Sequence, residues 1–496
     1  MSFDKTITCQ FQYENNVDLG VPSDIPLNTN IRQLNVIVNA LAKIQQQTTN
    51  EDTPYAFYID EVEITETVER YIEEKLKKKQ GVAGSADDTF EKTLTITCIP
   101  KARFHVIPVE RCTATIEGHL EAITVLQFSP NGKLLASGSG DTTVRFWDLN
   151  TQTPFDNYGK AHRHWILCLC WAPNGKIIAS ACKDGHIGLW NGYTGKQLGT
   201  KLLSSHRQWI NSLCWQPLHL NGSCRLLASA SKDTTIKIWD THLYKVVYTL
   251  SGHTASVTCI KWSGQNLLYS SSQDRTIKVW RTTDGVLCRT LEGHSHWVNT
   301  LALSTDYVLR TGSYEPSKEN GKQQDEENDE HQLQALALER YENLFRSLEN
   351  DSERLVSGSD DFTLYLWKPE TEKKPIARMT GHQQLINDVK FSPDTRLIAS
   401  ASFDKSIKLW SSRTGTYLGT LRGHVQAVYQ IAWSSDSRLL CSGSADSTLK
   451  VWNINEKQLL CDLPGHADEV YAIDWSPDGQ TVASGGKDKV LKLWKR

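Results

Sequence analysis

One pattern, written eight times, constrains this chain more than anything else in it. In each copy a serine lies four residues before an aspartate and a tryptophan lies six after it. The first copy is Ser137, Asp141 and Trp147, and a late one is Ser442, Asp446 and Trp452. The other aspartates are Asp184, Asp233, Asp274, Asp361, Asp404 and Asp488. A histidine opens every unit, among them His119 and His424. A buried hydroxyl, imidazole and indole N–H all need partners, and one left unpaired costs roughly 1–3 kcal/mol. Serine, histidine and aspartate are also the members of a hydrolase triad. Such a site is normally built once, on an exposed turn with its own oxyanion donors, whereas this set recurs in every repeat within β-like runs. The pattern therefore reads as structural, and no enzyme activity is expected from it.

Steps between the tryptophans are mostly 41 to 49 residues, the period of a four-stranded propeller blade. On these motifs residues 103–496 resemble WD-repeat β-propellers, with eight blades. That resemblance implies that the histidine, aspartate, serine and tryptophan of each blade form one hydrogen-bonded chain. The expected fold is mainly β: an eight-bladed propeller preceded by a small α+β domain over residues 1–102.

A net charge of −3 gives no global pull toward nucleic acid or an anionic membrane, so any such contact must be a local patch. Twelve cysteines without a CxxC pair suit buried free thiols in a reducing compartment better than disulfides or zinc, and no intrinsic metal or cofactor is expected. No apolar run approaches the roughly 18 residues needed to span a bilayer, and the first residues lack a signal-peptide core. A soluble intracellular protein, without membrane contact and monomeric, is expected.

Residues 5–102 do not repeat. Strands are expected at Thr6–Tyr13, near Asp18–Leu27, at Tyr55–Ile59, at Glu63–Thr65 and at Thr93–Ile99. A helix capped by Asn30 is expected to run to Gln45 with Leu34, Val36, Ile37, Ala40, Leu41 and Ile44 as its apolar set. A second, charged helix is expected over Val68–Lys79, followed by a Gly, Ser and Asp-rich loop at 80–88. This order is that of a β-grasp, or ubiquitin-like, domain.

Arg111–Ile116 precedes the first histidine and belongs to no complete repeat, while the last blade lacks an outermost strand. Pairing the two would close the ring and remove an exposed sheet edge. Blade five carries an acidic insertion at about 311–353; residues 315–353 alone have a net charge of −8, so the rest of the chain carries +5. Its second half, Gln332–Leu348, places Leu336, Leu338, Tyr341, Leu344, Phe345 and Leu348 at helix-like spacing. It reads either as a tolerated surface loop or as a helix for docking a partner.

Three residues beyond the opening histidine stands a tryptophan in three blades: Trp165, Trp209 and Trp297. Arg163, Lys183, Arg207, Lys232 and Arg275 lie near the same rim. The set is a candidate interaction surface for RNA phosphates or an acidic protein. The alternative is that the tryptophans wedge neighbouring blades and the charges solvate turns.

The ubiquitin-like unit fused to eight blades, with HRHW at 162–165, STDYVLR at 304–310 and RMTGHQ at 378–383, resembles the Notchless family of large-subunit ribosome assembly factors. The resemblance implies a non-catalytic docking protein of the nucleus and nucleolus. Its propeller would sit on the pre-60S particle, against ribosomal proteins and rRNA. Its ubiquitin-like domain would bind the adhesion domain of the AAA ATPase Midasin, one carboxylate completing the shell of a Mg2+ held by that partner. The matching segment here is FYIDEVEI, residues 57–64, between the two expected central strands. Glu63 is the best-aligned carboxylate, with Asp60 and Glu61 as neighbours. Two other roles compete: a signalling adaptor on the Notch receptor, and a substrate receptor of a ubiquitin ligase.

Overall fold

The computed structural model describes residues 6–13, 18–46, 55–59, 62–64, 68, 93–100, 106–149, 151–155, 162–199, 202–315, 330–347 and 352–496. The chain divides into two compact units, Met1–His105 with Phe345–Asp351, and Val106–Leu344 with Ser352–Arg496.

In the first unit β1 (Thr6–Tyr13), β2 (Asp18–Pro26), β3 (Tyr55–Ile59), β4 (Val62–Glu63) and β5 (Leu94–Pro100) form one sheet of order β2-β1-β5-β3-β4. β1 and β5 are parallel neighbours at its centre and the other pairings are antiparallel, which is β-grasp topology. Helix α1 (Ile31–Gln46) begins with a reciprocal capping box: the Gln33 amide donates to the Asn30 side chain and the Asn30 amide to that of Gln33, both at 3.0 Å. Leu34 and Val38 are fully buried with Phe11, Phe57, Ile96 and Cys98. Val36, expected on the apolar face, is 70% exposed, because it sits two residues from either anchor and points away from the sheet. The expected helix over 68–79 and loop at 80–88 lie, apart from Val68, outside the described residues.

Eight four-stranded antiparallel sheets make up the second unit. Each innermost strand packs on the next and the eighth on the first, so the ring closes on itself. The second strand of each blade is buried on both faces, which explains its run of Ala, Ser and Gly: a Cβ on Gly138 would lie 2.7 Å from Ile166 of the next blade. The outermost strand of blade eight is β6 (Arg111–Ile116), paired antiparallel with Leu491–Lys495 from Lys495↔Arg111 to Leu491↔Ile116. The early segment thus completes the last blade, as its position in the sequence implies.

Blade five differs from the sequence expectation. Starting within STDYVLR, a short helix, α2 (Asp306–Thr311), follows the inner strand Val298–Leu303. Asp306 pairs with Lys261 of blade four at 2.9 Å, and Arg310 grips Asp474 of blade eight through Nη1 and Nη2. Blades four and eight stand opposite one another in the ring, so α2 spans one mouth of the central channel as a plug.

The insertion then forms α3 (Glu330–Ser347), docked on its own propeller. Its inner face is Leu333, Ala337 and Tyr341, while Leu336 and Leu338 are exposed, so the register differs from that expected. Tyr341 stacks on His219 at 4.4 Å between centroids, and a Cβ on Gly264 would strike its ring at 2.3 Å. The Tyr341 hydroxyl, the Thr305 hydroxyl and the Gly264 amide all donate to Glu353, at 3.0–3.1 Å. Burial pushes that carboxyl above its ordinary range. Residues 330–344 are thus held against the propeller, with Leu336 and Leu338 left exposed, and residues 316–329 lie outside the described residues.

Candidate interaction surfaces

The repeated side chains meet as a relay. In blade one the Trp147 indole donates to Ser137 Oγ (2.8 Å), Ser137 shares a hydrogen bond with His119 Nε2 (2.8 Å), and His119 Nδ1 bonds Asp141 (2.9 Å). Blade seven repeats it with Trp452, Ser442, His424 and Asp446, each step 2.8 Å. The arrangement has triad geometry but no access, since Ser137 and Ser442 are fully buried and each accepts from an indole. Burial works to raise the Asp141 carboxyl, yet hydrogen bonds from His119, Thr143 and the Leu120 amide outweigh it and hold the group well below its ordinary 3.8. The same holds for Asp233, Asp274, Asp361, Asp404 and Asp446. A carboxyl depressed in the folded state stabilises fully above its unfolded pKa and loses that contribution as pH falls. The urea midpoint should therefore hold steady down to about pH 4 and drop steeply below it, read by tryptophan fluorescence. A midpoint flat down to pH 2.5 would contradict the relay's role.

Blade two breaks the rule. Trp190 and His162 both reach Ser180, at 2.8 and 2.6 Å, but His162 Nδ1 is buried and has no hydrogen-bond partner among the described residues. Asp184 instead meets Cys182 and His186, so the expected chain through all four residues fails in this blade.

Trp165, Trp209 and Trp297 are 48%, 39% and 44% exposed, each immediately before an inner strand. The Lys183 amide donates to the Trp165 carbonyl and the Lys232 amide to that of Trp209, a ladder that sets each lysine beside a tryptophan. Lys183 Nζ lies 4.1 Å from the Trp209 ring and 5.8 Å from that of Trp165, and Lys232 Nζ lies 4.6 Å from Trp209. The two blades thus carry one continuous aromatic and cationic strip. Beside it opens a cavity of about 270 Å³ lined by Trp209, Asn211, Lys232, Ser256, Thr258 and Gln273. Arg163, Arg207 and Arg275 are exposed on loops of this same face. Trp297 stands apart: the corresponding turn residue is Asp360, bonded by Asn299 and near His296, so blade five offers an anionic edge instead. The wedging alternative also has support, since a Cβ on Gly140 of blade one would lie 3.2 Å from the Trp165 ring.

In the first unit Glu63 lies on β4, the edge strand of the sheet, in register with Tyr58, and the Ile64 amide donates to the Phe57 carbonyl at 2.8 Å. The hairpin therefore joins β3 to an edge rather than linking two central strands. Asp60 and Glu61 lie outside the described residues.

Buried relays, a closed ring of eight sheets and a separate β-grasp sheet define a WD-repeat propeller protein. The model of the WD domain, G-beta repeat, matches seven times, at 110–148, 156–191, 195–240, 244–281, 373–411, 415–453 and 457–495. The interrupted fifth blade falls between matches. The NLE (NUC135) domain model matches residues 7–72. The chain is 51% identical to Protein Notchless of Drosophila melanogaster over 79% of this chain and 76% of that protein. It is 50% identical to the Notchless protein homolog of Arabidopsis thaliana (84% and 82%), and 47% identical to Ribosome assembly protein 4 of Saccharomyces cerevisiae (66% and 63%). Among solved structures, the computationally designed Ika8 protein matches at 27% identity with a TM-score of 0.59, over 78% of this chain and all of that one. The chain belongs to the Notchless family of WD-repeat proteins.

Proposed function

We propose that this protein is a non-catalytic assembly factor for the large ribosomal subunit, working in the nucleus and nucleolus. Its propeller docks on the pre-60S particle, and its ubiquitin-like domain is the handle by which a Midasin-type AAA ATPase removes it. The observation that carries the reading is the 47% and 44% identity to two relatives each named Ribosome assembly protein 4, beside the NLE domain match at residues 7–72. The lysine and tryptophan strip of blades two and three supports contact with rRNA phosphates or an acidic ribosomal protein. The edge position of β4 supports the handle, because an edge strand leaves its outer side available to a partner. There Glu63 supplies a carboxylate oxygen to a Mg2+ held in the partner's adhesion site, a hard cation suited to that donor.

Glu63→Ala should leave the fold and co-sedimentation with pre-60S particles intact while weakening Mg2+-dependent binding to the adhesion domain by about tenfold to a hundredfold. The variant should accumulate on particles when ATP is supplied. Unchanged affinity with and without chelator would remove Glu63 from the role. Failure of the wild-type chain to co-sediment, with recovery of a Notch receptor tail or a ligase instead, would overturn the assembly reading.

A further inference from the structure

The turn that closes blade two has changed its chemistry. In blade one the hydroxyl of Ser139 accepts from the Asp141 amide at 3.1 Å, and that of Thr143 donates to Asp141 at 2.6 Å; blades three, four, five, six and seven have Ser and Thr or Ser at the same places. Blade two has Cys182 and His186. Both hydroxyls have been replaced by side chains that ligate transition metals, and among the described residues Cys182, Asp184 and His186 are the group whose ligand atoms all lie within 4.8 Å of one another.

Loss of the hydroxyls does not itself explain where Asp184 points. Blade eight has also lost both, with Gly486 and Val490 in their place, yet Asp488 still bonds His466 Nδ1 at 2.7 Å. In blade two alone the aspartate leaves its histidine. Asp184 Oδ1 sits 3.2 Å from His186 Nδ1 and against Cys182 Sγ, and His162 Nδ1, in a residue 5% exposed, has no partner among the described residues. A buried nitrogen without a partner costs roughly 1–3 kcal/mol, which the other blades avoid through their aspartates. His186 and Asp184 are 37% and 20% exposed at their side chains, which leaves the group open to ions from solvent.

We infer that Cys182, Asp184 and His186 form a binding site for a single zinc ion, with solvent as fourth ligand. A thiolate, an imidazole and a carboxylate are a zinc donor set, and three protein ligands with one open position are its usual exposed form. On binding, the Cys182 thiol gives its proton to solvent and the sulfur lone pair goes to the metal, so affinity rises with pH. The absence of a CxxC pair hides the site, because its ligands come from one hairpin at every second position.

The test titrates the full chain with Zn2+ under chelator competition and with Co2+ as a spectroscopic probe. One ion per chain is expected, with a thiolate-to-cobalt charge-transfer band. Cys182→Ser and His186→Gln should each weaken Zn2+ by more than about a hundredfold. The double variant Cys182→Ser/His186→Thr gives blade two the turn of its sister blades and should fold normally without the metal. Absence of the band in the wild type, or Zn2+ affinity kept in the folded double variant, would overturn the site and leave the turn closed by a thiol-to-carboxylate hydrogen bond only.

Discussion

A chain lacking residues 106–116 is expected to lose most of the stability of its propeller and to aggregate. β6 supplies the fourth strand of the last blade from the start of the ring, so its removal frees a ladder of five residue pairs and bares Leu491–Lys495 as an edge. Val109 goes with it, a fully buried residue in the cluster of Leu463, Trp475 and Trp494, as does the bond from the Val106 amide to Asp436 at 2.9 Å. Losing that burial costs about 2 kcal/mol, and ladder bonds about 1 kcal/mol each, together on the order of 5–7 kcal/mol. That rivals the roughly 5–15 kcal/mol total of a typical domain. The same change to the outer strand of blade one, Thr153–Pro154, should cost under about 0.5 kcal/mol, because both residues are exposed and close nothing. Denaturant midpoints and light scattering distinguish the two. Equal losses would mean that closure is no more important than any other outer strand.

What could be read in advance followed physical period. Eight copies of one spacing specify eight blades because each blade must satisfy the same buried hydroxyl, imidazole and indole. The surplus segment at 111–116 matched the missing strand at the other end for the same reason. Side chains that act through distant partners were not legible. DYVLRT forms α2, whose charges are met by Lys261 and Asp474, both far away in sequence. The insertion was misread in register: its docking strip is narrow, with small Ala337 between Leu333 and Tyr341, so the larger Leu336 and Leu338 turn outward. Although the insertion is strongly acidic, Glu353 is fully buried and accepts a hydrogen bond from Tyr341. In blade two the departure was visible as Cys182 and His186, but its consequence for Asp184 appears only when the eight turns are compared in three dimensions. The exposure of Trp165 and Trp209 was legible, whereas the lysine held between them arises from strand register.

Arg310→Met should destabilise the propeller by about 3 kcal/mol, the second large effect expected here. Asp474 is 7% exposed at its side chain and also accepts from the Phe128 amide, so it stays in place when its partner goes. The cost is that of a buried carboxylate left without its cation, moderated because Arg310 itself is 29% exposed to channel solvent. Asp474→Asn keeps an acceptor for Phe128 and removes the charge. Combined with Arg310→Met it should therefore recover part of the loss, giving a coupling of at least about 1 kcal/mol in a double-mutant cycle. Thermal unfolding of the four proteins measures this directly. Were α2 only a surface turn, Arg310→Met would cost less than about 1 kcal/mol and the two substitutions would add. Were it the plug that holds opposite blades in register, the single variant would also open the channel mouth, and hydrogen exchange would quicken at Lys261 and Asp474 together, on blades that share no strand.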